Sequence, residues 1–140
     1  MVRSEEQKRG KSMDTFYEED ILGEGFQRTT LSLRDDYEGS AVATLVRRLS
    51  DTGNGRSVLY IHGFNDYFFQ REMACRLNER SFHFYALDLR KYGRSWLSHQ
   101  KFNDIRDIRV YFEEITLALQ MIREEGSRTT VLFGHSTGGL

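Results

Sequence analysis

Cysteine occurs once in the 140 residues, at Cys75, and proline not at all. A single thiol rules out an internal disulfide and is consistent with a reducing compartment, so the default location is the cytoplasm. The lack of proline is unusual, and no physical account of it follows from the sequence. Charge of either sign is in short surplus: 20 Lys and Arg face 21 Asp and Glu, a net charge of -1. That balance leaves no case for nucleic acid as a partner. No stretch approaches the ~20 apolar residues of a membrane span. The N-terminal stretch Met1 to Lys11 is charged throughout and has no apolar core of the kind a secretory signal needs. No His, Cys or carboxylate cluster has metal-site spacing, so neither a metal nor another cofactor is expected. There is no P-loop, and Gly53-Asn54-Gly55 reads as a turn rather than a phosphate cradle.

With 39% hydrophobic and 29% charged residues, the composition is that of one soluble globular domain or part of one. Residues 1–12 read as a flexible charged tail, and 13–140 as domain. Thr15 to Phe26 mixes aromatics, acids and glycines and is expected to have little regular structure. Thr29 to Arg34 and Ala41 to Leu49 read as two strands of an antiparallel hairpin around the turn cluster at 35–40. Ser57 to Ile61 is a short continuous apolar run, the pattern of a strand covered on both faces. A helix is expected from about Phe68 to Arg80, with Phe69, Met73 and Leu77 inward. Phe82 to Leu87 is the next strand and ends at Asp88. Asn103 or Asp104 can cap a long helix to about Glu125, with Ile108, Phe112, Ile115, Leu119 and Ile122 at helical spacing and Gly126 as its stop. Thr129 to Phe133 is the last strand. The order β, β, β, α, β, α, β predicts an α/β fold: a hairpin followed by parallel βαβ units with helices on both faces of the sheet.

That last strand runs straight into Gly134-His135-Ser136-Thr137-Gly138-Gly139. The G-x-S-x-G spacing of Gly134, Ser136 and Gly138 is the pattern of a nucleophile elbow, a strained turn that holds a serine hydroxyl clear of the sheet. Two further motifs stand at strand ends: His62-Gly63 after the third strand, and Asp88-Leu89-Arg90-Lys91-Tyr92-Gly93-Arg94-Ser95 after the fourth. A lone G-x-S-x-G is weak evidence; three motifs in order on the expected strand ends are strong evidence. Over roughly residues 30 to 140 the chain resembles the α/β-hydrolase superfamily, in its lysophospholipase, monoacylglycerol lipase and serine aminopeptidase-like branch. Lys91 stands where that family usually has glycine. Residues 64–67 lack the second histidine that monoacylglycerol lipases often carry after the HG pair.

The resemblance implies a serine hydrolase that cleaves carboxylic esters, lysophospholipids or monoacylglycerols among them, through an acyl-enzyme on Ser136. The oxyanion donors would be the backbone N–H groups of Thr137 and of Phe64, with the Phe64 side chain lining the acyl pocket. His62 and Gly63 would brace the oxyanion loop, Gly134 and Gly138 would shape the elbow, and Asp88 would order the loop beside the site, with Arg90 or Arg94 as partner. His135 adjoins Ser136, but at an elbow the neighbouring side chain points away, so it is not expected to be the base. His83 and His99 read as structural or surface residues, and Cys75 as a buried small hydrophobe. The expected partner is a small-molecule ester or lipid; oligomeric state is left open. The family's catalytic acid and histidine follow later strands, so the chain reads as a domain truncated after the elbow. The alternative is a catalytically inactive fragment or a binding module. An unpartnered strand at 129–133 would then expose an edge and favour aggregation.

Overall fold

A strand without a polar side has to be covered on both faces, and the run from Ser57 to Ile61 is covered in this way. The computed structural model describes residues 16–139; the expected tail at 1–12 lies outside them. Its strands are β1 (Glu18–Glu19), β2 (Phe26–Ser32), β3 (Val42–Arg48), β4 (Arg56–Ile61), β5 (His83–Asp88) and β6 (Thr129–Gly134). Its helices are α1 (Arg71–Glu79) and α2 (Tyr111–Glu124). One sheet runs β1-β2-β3-β5-β4-β6. The first three strands and the β3–β5 pair are antiparallel, whereas β4 pairs in parallel with both β5 and β6. The expected hairpin leading into parallel strands is therefore present.

Alternation along the strands sorts the core into two layers. On one face Leu45, Leu59, Ile61, Tyr85 and Leu87 pack with Ala118 and Ile122 of α2. On the other Val46, Val58, Tyr60, Phe84 and Ala86 pack with Phe68 and with Ala74 of α1. Each large side chain so buried contributes on the order of 1.5–3 kcal/mol. The sheet ends at β6, where Val131, Leu132 and Phe133 are each about half exposed.

Several expectations need correction. The lead-in segment is not wholly irregular, because β1 pairs with β2 through Glu18 and Glu19. The first hairpin strand is shifted, β2 starting at Phe26, which pairs with Arg48, whereas β3 falls within one residue of its expected ends. The first helix begins three residues late. Phe68 stays outside it as a fully buried loop residue, its N–H donating to Asp88 Oδ1 at 2.8 Å. Phe69 consequently points outward. The second helix does not start at Asn103 or Asp104. Asp107 caps a short 3-10 turn at Ile108–Val110 by accepting from Arg109 N–H, and α2 follows. Its buried stripe is Glu114, Ala118 and Ile122, whereas Ile108 and Phe112 are exposed. Ile115, Leu119 and Ile122 of the expected stripe do pack against the core, and Glu114, buried on the same helix, pairs with Arg90. Gly126, at φ +109°, ends the helix as expected.

Candidate active site

Ser136 sits at the start of a 3-10 turn, Ser136–Gly139, directly after β6, with φ +55°. A side chain held in the left-handed region costs about 1–3 kcal/mol, strain that the surrounding structure has to impose. Two glycines make room for it. A Cβ on Gly138 would stand 2.4 Å from Ile61 O and 2.5 Å from His62 O, and one on Gly134 would stand 2.5 Å from Gly138 O. The turn is tied to β4 by His135 N–H donating to Ile61 O at 3.0 Å. Gly63 brings the loop after β4 against it, since a Cβ there would lie 3.1 Å from Ser136 Cβ.

That loop is held by His62. The ring is buried and lies 4.6 Å from the Tyr92 ring, centroid to centroid. Leu89 N–H donates to its Nε2 at 3.0 Å. A backbone N–H can only donate, so Nε2 is unprotonated and Nδ1–H donates to Gly63 O at 2.8 Å. Nε2 thus ties the end of β4 to Leu89 after β5, while Nδ1 is engaged by the carbonyl of the adjacent Gly63. Phe64 follows at the turn, 64% exposed, which excludes a core role for its side chain. Among the described residues its N–H meets no acceptor. Phe64 and Thr137 come from sequence positions 73 apart and line one cavity of about 130 Å³ with Leu89, Tyr92 and Ile105.

Asp88 closes β5 and is fully buried. Its Oδ1 accepts from Phe68 N–H, and its Oδ2 from Arg94 N–H at 3.1 Å and Arg94 Nη1 at 3.0 Å. Arg94 also binds Asp20 through two bonds of 2.7 and 2.9 Å. Burial alone would raise the Asp20 carboxyl; the Arg94 hydrogen bond and the Leu22 N–H outweigh it and hold the group below 3.8. Of the two arginines considered for Asp88, Arg94 is its partner. Arg90 turns away to Glu114 and Glu113 at 2.9 and 3.0 Å.

Of the remaining candidates, His83 and His99 bond backbone groups of other loops. Ser50 N–H donates to His83 Nδ1, and His99 Nε2 meets Ser40 O. His135 is exposed. Cys75, in α1, is half-buried rather than buried. Asp20, Glu114 and the pairing partners of Lys91 were not legible in the sequence. Asp20 is 74 residues from Arg94, and no local pattern links them. Among the described residues no group of three His, Cys, Asp or Glu side chains is placed to hold a metal, and no helix is long and apolar enough to cross a membrane.

A strained serine in a glycine-walled turn after a parallel strand, braced by an HG loop from the neighbouring strand, defines the first part of an α/β-hydrolase fold. Solved structures agree on that fold. A thermostable carboxyl esterase from Bacillus coagulans, in complex with glycerol, matches with a TM-score of 0.66 and 20% identity, covering 79% of this chain and 37% of the esterase. A soluble variant of monoglyceride lipase from Saccharomyces cerevisiae, in complex with a substrate analog, matches with a TM-score of 0.58 and 21% identity, covering 77% and 36%. An epoxide hydrolase from an endophytic Streptomyces gives a TM-score of 0.54 and 24% identity, over 79% and 30%. The chain thus spans about a third of the length of these proteins. Residues 54–140 match the family model of serine aminopeptidase, S33, and the chain belongs to that family. No curated protein sequence matches it.

Proposed function

We propose that Ser136 is the nucleophile of a serine hydrolase acting on carboxylic esters of the lysophospholipid or monoacylglycerol kind. The observation that supports this most is the strained φ of +55° at Ser136, imposed by a turn in which glycines occupy the sites a Cβ would fill. Ser136 Oγ attacks the ester carbonyl and loses its proton to a general base. The oxygen of the tetrahedral adduct accepts from the N–H groups of Phe64 and Thr137, each such donor contributing about 3 kcal/mol to the transition state. Collapse expels the alcohol, which takes up the proton, and leaves an acyl group on Ser136. Water then repeats the sequence and releases the acid.

His62 is not the base, because both its nitrogens are already engaged with backbone groups. In this reading the base and its orienting acid belong to the part of a hydrolase domain that these 140 residues do not cover. The carboxyl esterase and monoglyceride lipase among the structural matches favour an ester as substrate. A lone, half-buried cysteine suits a reducing cytoplasm. The test is hydrolysis of chromogenic esters by the full-length protein. Turnover should disappear in Ser136→Ala at unchanged stability; turnover that survives this substitution refutes the assignment.

A second reading has one observation in its favour. Among the described residues no side chain accepts a hydrogen bond from Ser136 Oγ. On that reading the 140-residue chain alone is inert and at most binds ester-like molecules. Clear turnover by the isolated chain, lost on Ser136→Ala, excludes it.

A further inference from the structure

Lys91 is the residue of the Asp88–Ser95 stretch that the hydrolase reading leaves without a role, and it is costly twice over. Its φ is +65°, a conformation suited to glycine. Its side chain is fully buried, which for an ammonium requires complete pairing. The pairing is there. Nζ meets Asp36 Oδ2 at 2.6 Å, Glu38 Oε1 at 2.5 Å and Asp104 O at 2.7 Å, and lies 4.5 Å from the centre of the Tyr37 ring. Burial alone would lower the Lys91 pKa; the hydrogen bonds to Asp36 and Glu38 reverse that and raise it. The ammonium therefore stays charged.

What it joins gives it a role. Asp36 and Glu38 lie at the tip between β2 and β3. Asp104 belongs to the segment from 91 to 107, which supplies Asn103 and Ile105 to the cavity shared by Phe64 and Thr137. Other bonds close the same junction: Lys101 N–H donates to Glu38 Oε2 at 3.0 Å, Asn103 N–H to Lys91 O at 3.2 Å, and Tyr37 O–H to Asp104 Oδ2 at 2.9 Å. Arg90 reaches the opposite way and donates to Val110 O at 3.1 Å, beside Ile108 and Tyr111, which line the cavity too. Adjacent cations thus hold the two ends of one wall.

Resting on the hydrolase reading of Ser136, we propose that Lys91 is a positioning residue that fixes this wall and thereby sets which acyl chain lengths the cavity accepts. Lys91 touches neither Ser136 nor the oxyanion donors, so its removal should leave the chemistry of the smallest esters intact while the wall loosens around longer ones.

The experiment uses the full-length protein and a nitrophenyl ester series from acetate to octanoate, together with amide hydrogen exchange. Lys91→Gly suits the backbone conformation. It should keep kcat on acetate within about threefold and shift the butanoate-to-octanoate ratio of kcat/KM at least tenfold. The amides of Lys101 and Asn103 should exchange at least tenfold faster, with β4 and β5 unchanged. Should Lys91→Gly fail to fold, the triple variant Lys91→Met, Asp36→Asn, Glu38→Gln removes the charge from the whole cage and carries the same expectations. Unchanged exchange overturns the proposal. Faster exchange with an unchanged ratio also overturns it, because Lys91 would then hold the fold without setting selectivity. A wild-type protein that hydrolyses no ester, like its Ser136→Ala variant, removes the hydrolase reading instead; exchange at Lys101 and Asn103 then decides whether Lys91 fixes the wall.

Discussion

Replacing Asp88 by alanine should loosen both loops that flank Ser136 at once. The carboxylate receives the Phe68 N–H from the loop after β4 and the Arg94 N–H and Nη1 from the loop after β5. Its loss leaves two backbone donors unmet, each costing about 1–3 kcal/mol. Breaking a buried ion pair outright costs about 3–5 kcal/mol, but Arg94 keeps both bonds to Asp20 and one to Phe68 O, so its charge is not left uncompensated. The expected loss is therefore about 3–4 kcal/mol, a large part of the ~5–15 kcal/mol that stabilises an ordinary domain. Asp88→Asn keeps an acceptor for Phe68 N–H and should lose only about half as much. Equilibrium urea unfolding reads both, with an unchanged slope showing that the folded state is intact. A cycle with Arg94→Met should give a coupling of about 1.5–3 kcal/mol. The reasoning fails if Asp88→Ala lies within ~1 kcal/mol of wild type, equals Asp88→Asn, or couples to Arg94 by less than ~0.5 kcal/mol.

Three further outcomes follow from the same geometry. Gly138→Ala places a Cβ against Ile61 O and His62 O, backbone atoms that cannot swing aside, so about 1–3 kcal/mol of stability and on the order of 10²-fold in ester turnover should be lost; an active, fully stable variant would contradict the packing. Phe64→Pro removes the proposed donor and should lower kcat by roughly 10²–10³, whereas Phe64→Ala keeps the N–H and most of the rate; equal kinetics for the two would remove Phe64 from the oxyanion role. Asp20 has a pKa held below 3.8, so the folded state binds its proton less readily than the unfolded chain does. The stability it contributes is present above about pH 4 and is lost as pH falls through the lowered value; Asp20→Asn should flatten that acid limb in pH-dependent unfolding, and an unchanged limb refutes the link.

Much of the fold was legible because its elements carry one-dimensional signatures. The run from Ser57 to Ile61 has no polar face, and Phe82 to Leu87 nearly none, so both had to lie inside the sheet. The glycines at 134 and 138 marked the elbow because a Cβ at either site meets backbone. The errors fell where a charge competes with apolar spacing. Phe68 was drawn out of the first helix by Asp88, twenty residues away. Glu114 is buried in α2 against Arg90, whereas Ile108 and Phe112 stay exposed.

The sequence by itself determined the order of the elements, the crossover from hairpin to parallel strands, and a serine in a turn that requires glycine. These depend on side-chain volume, apolar periodicity and backbone freedom, properties that a residue carries with its nearest neighbours. Tertiary structure alone decided which charges meet: Arg94 with Asp20 and Asp88, Arg90 with Glu114, and Lys91 with Asp36, Glu38 and the carbonyl of Asp104. An ion pair needs only a few ångströms of proximity and no particular sequence separation, so its partners become visible only once the sheet has brought distant loops to one end.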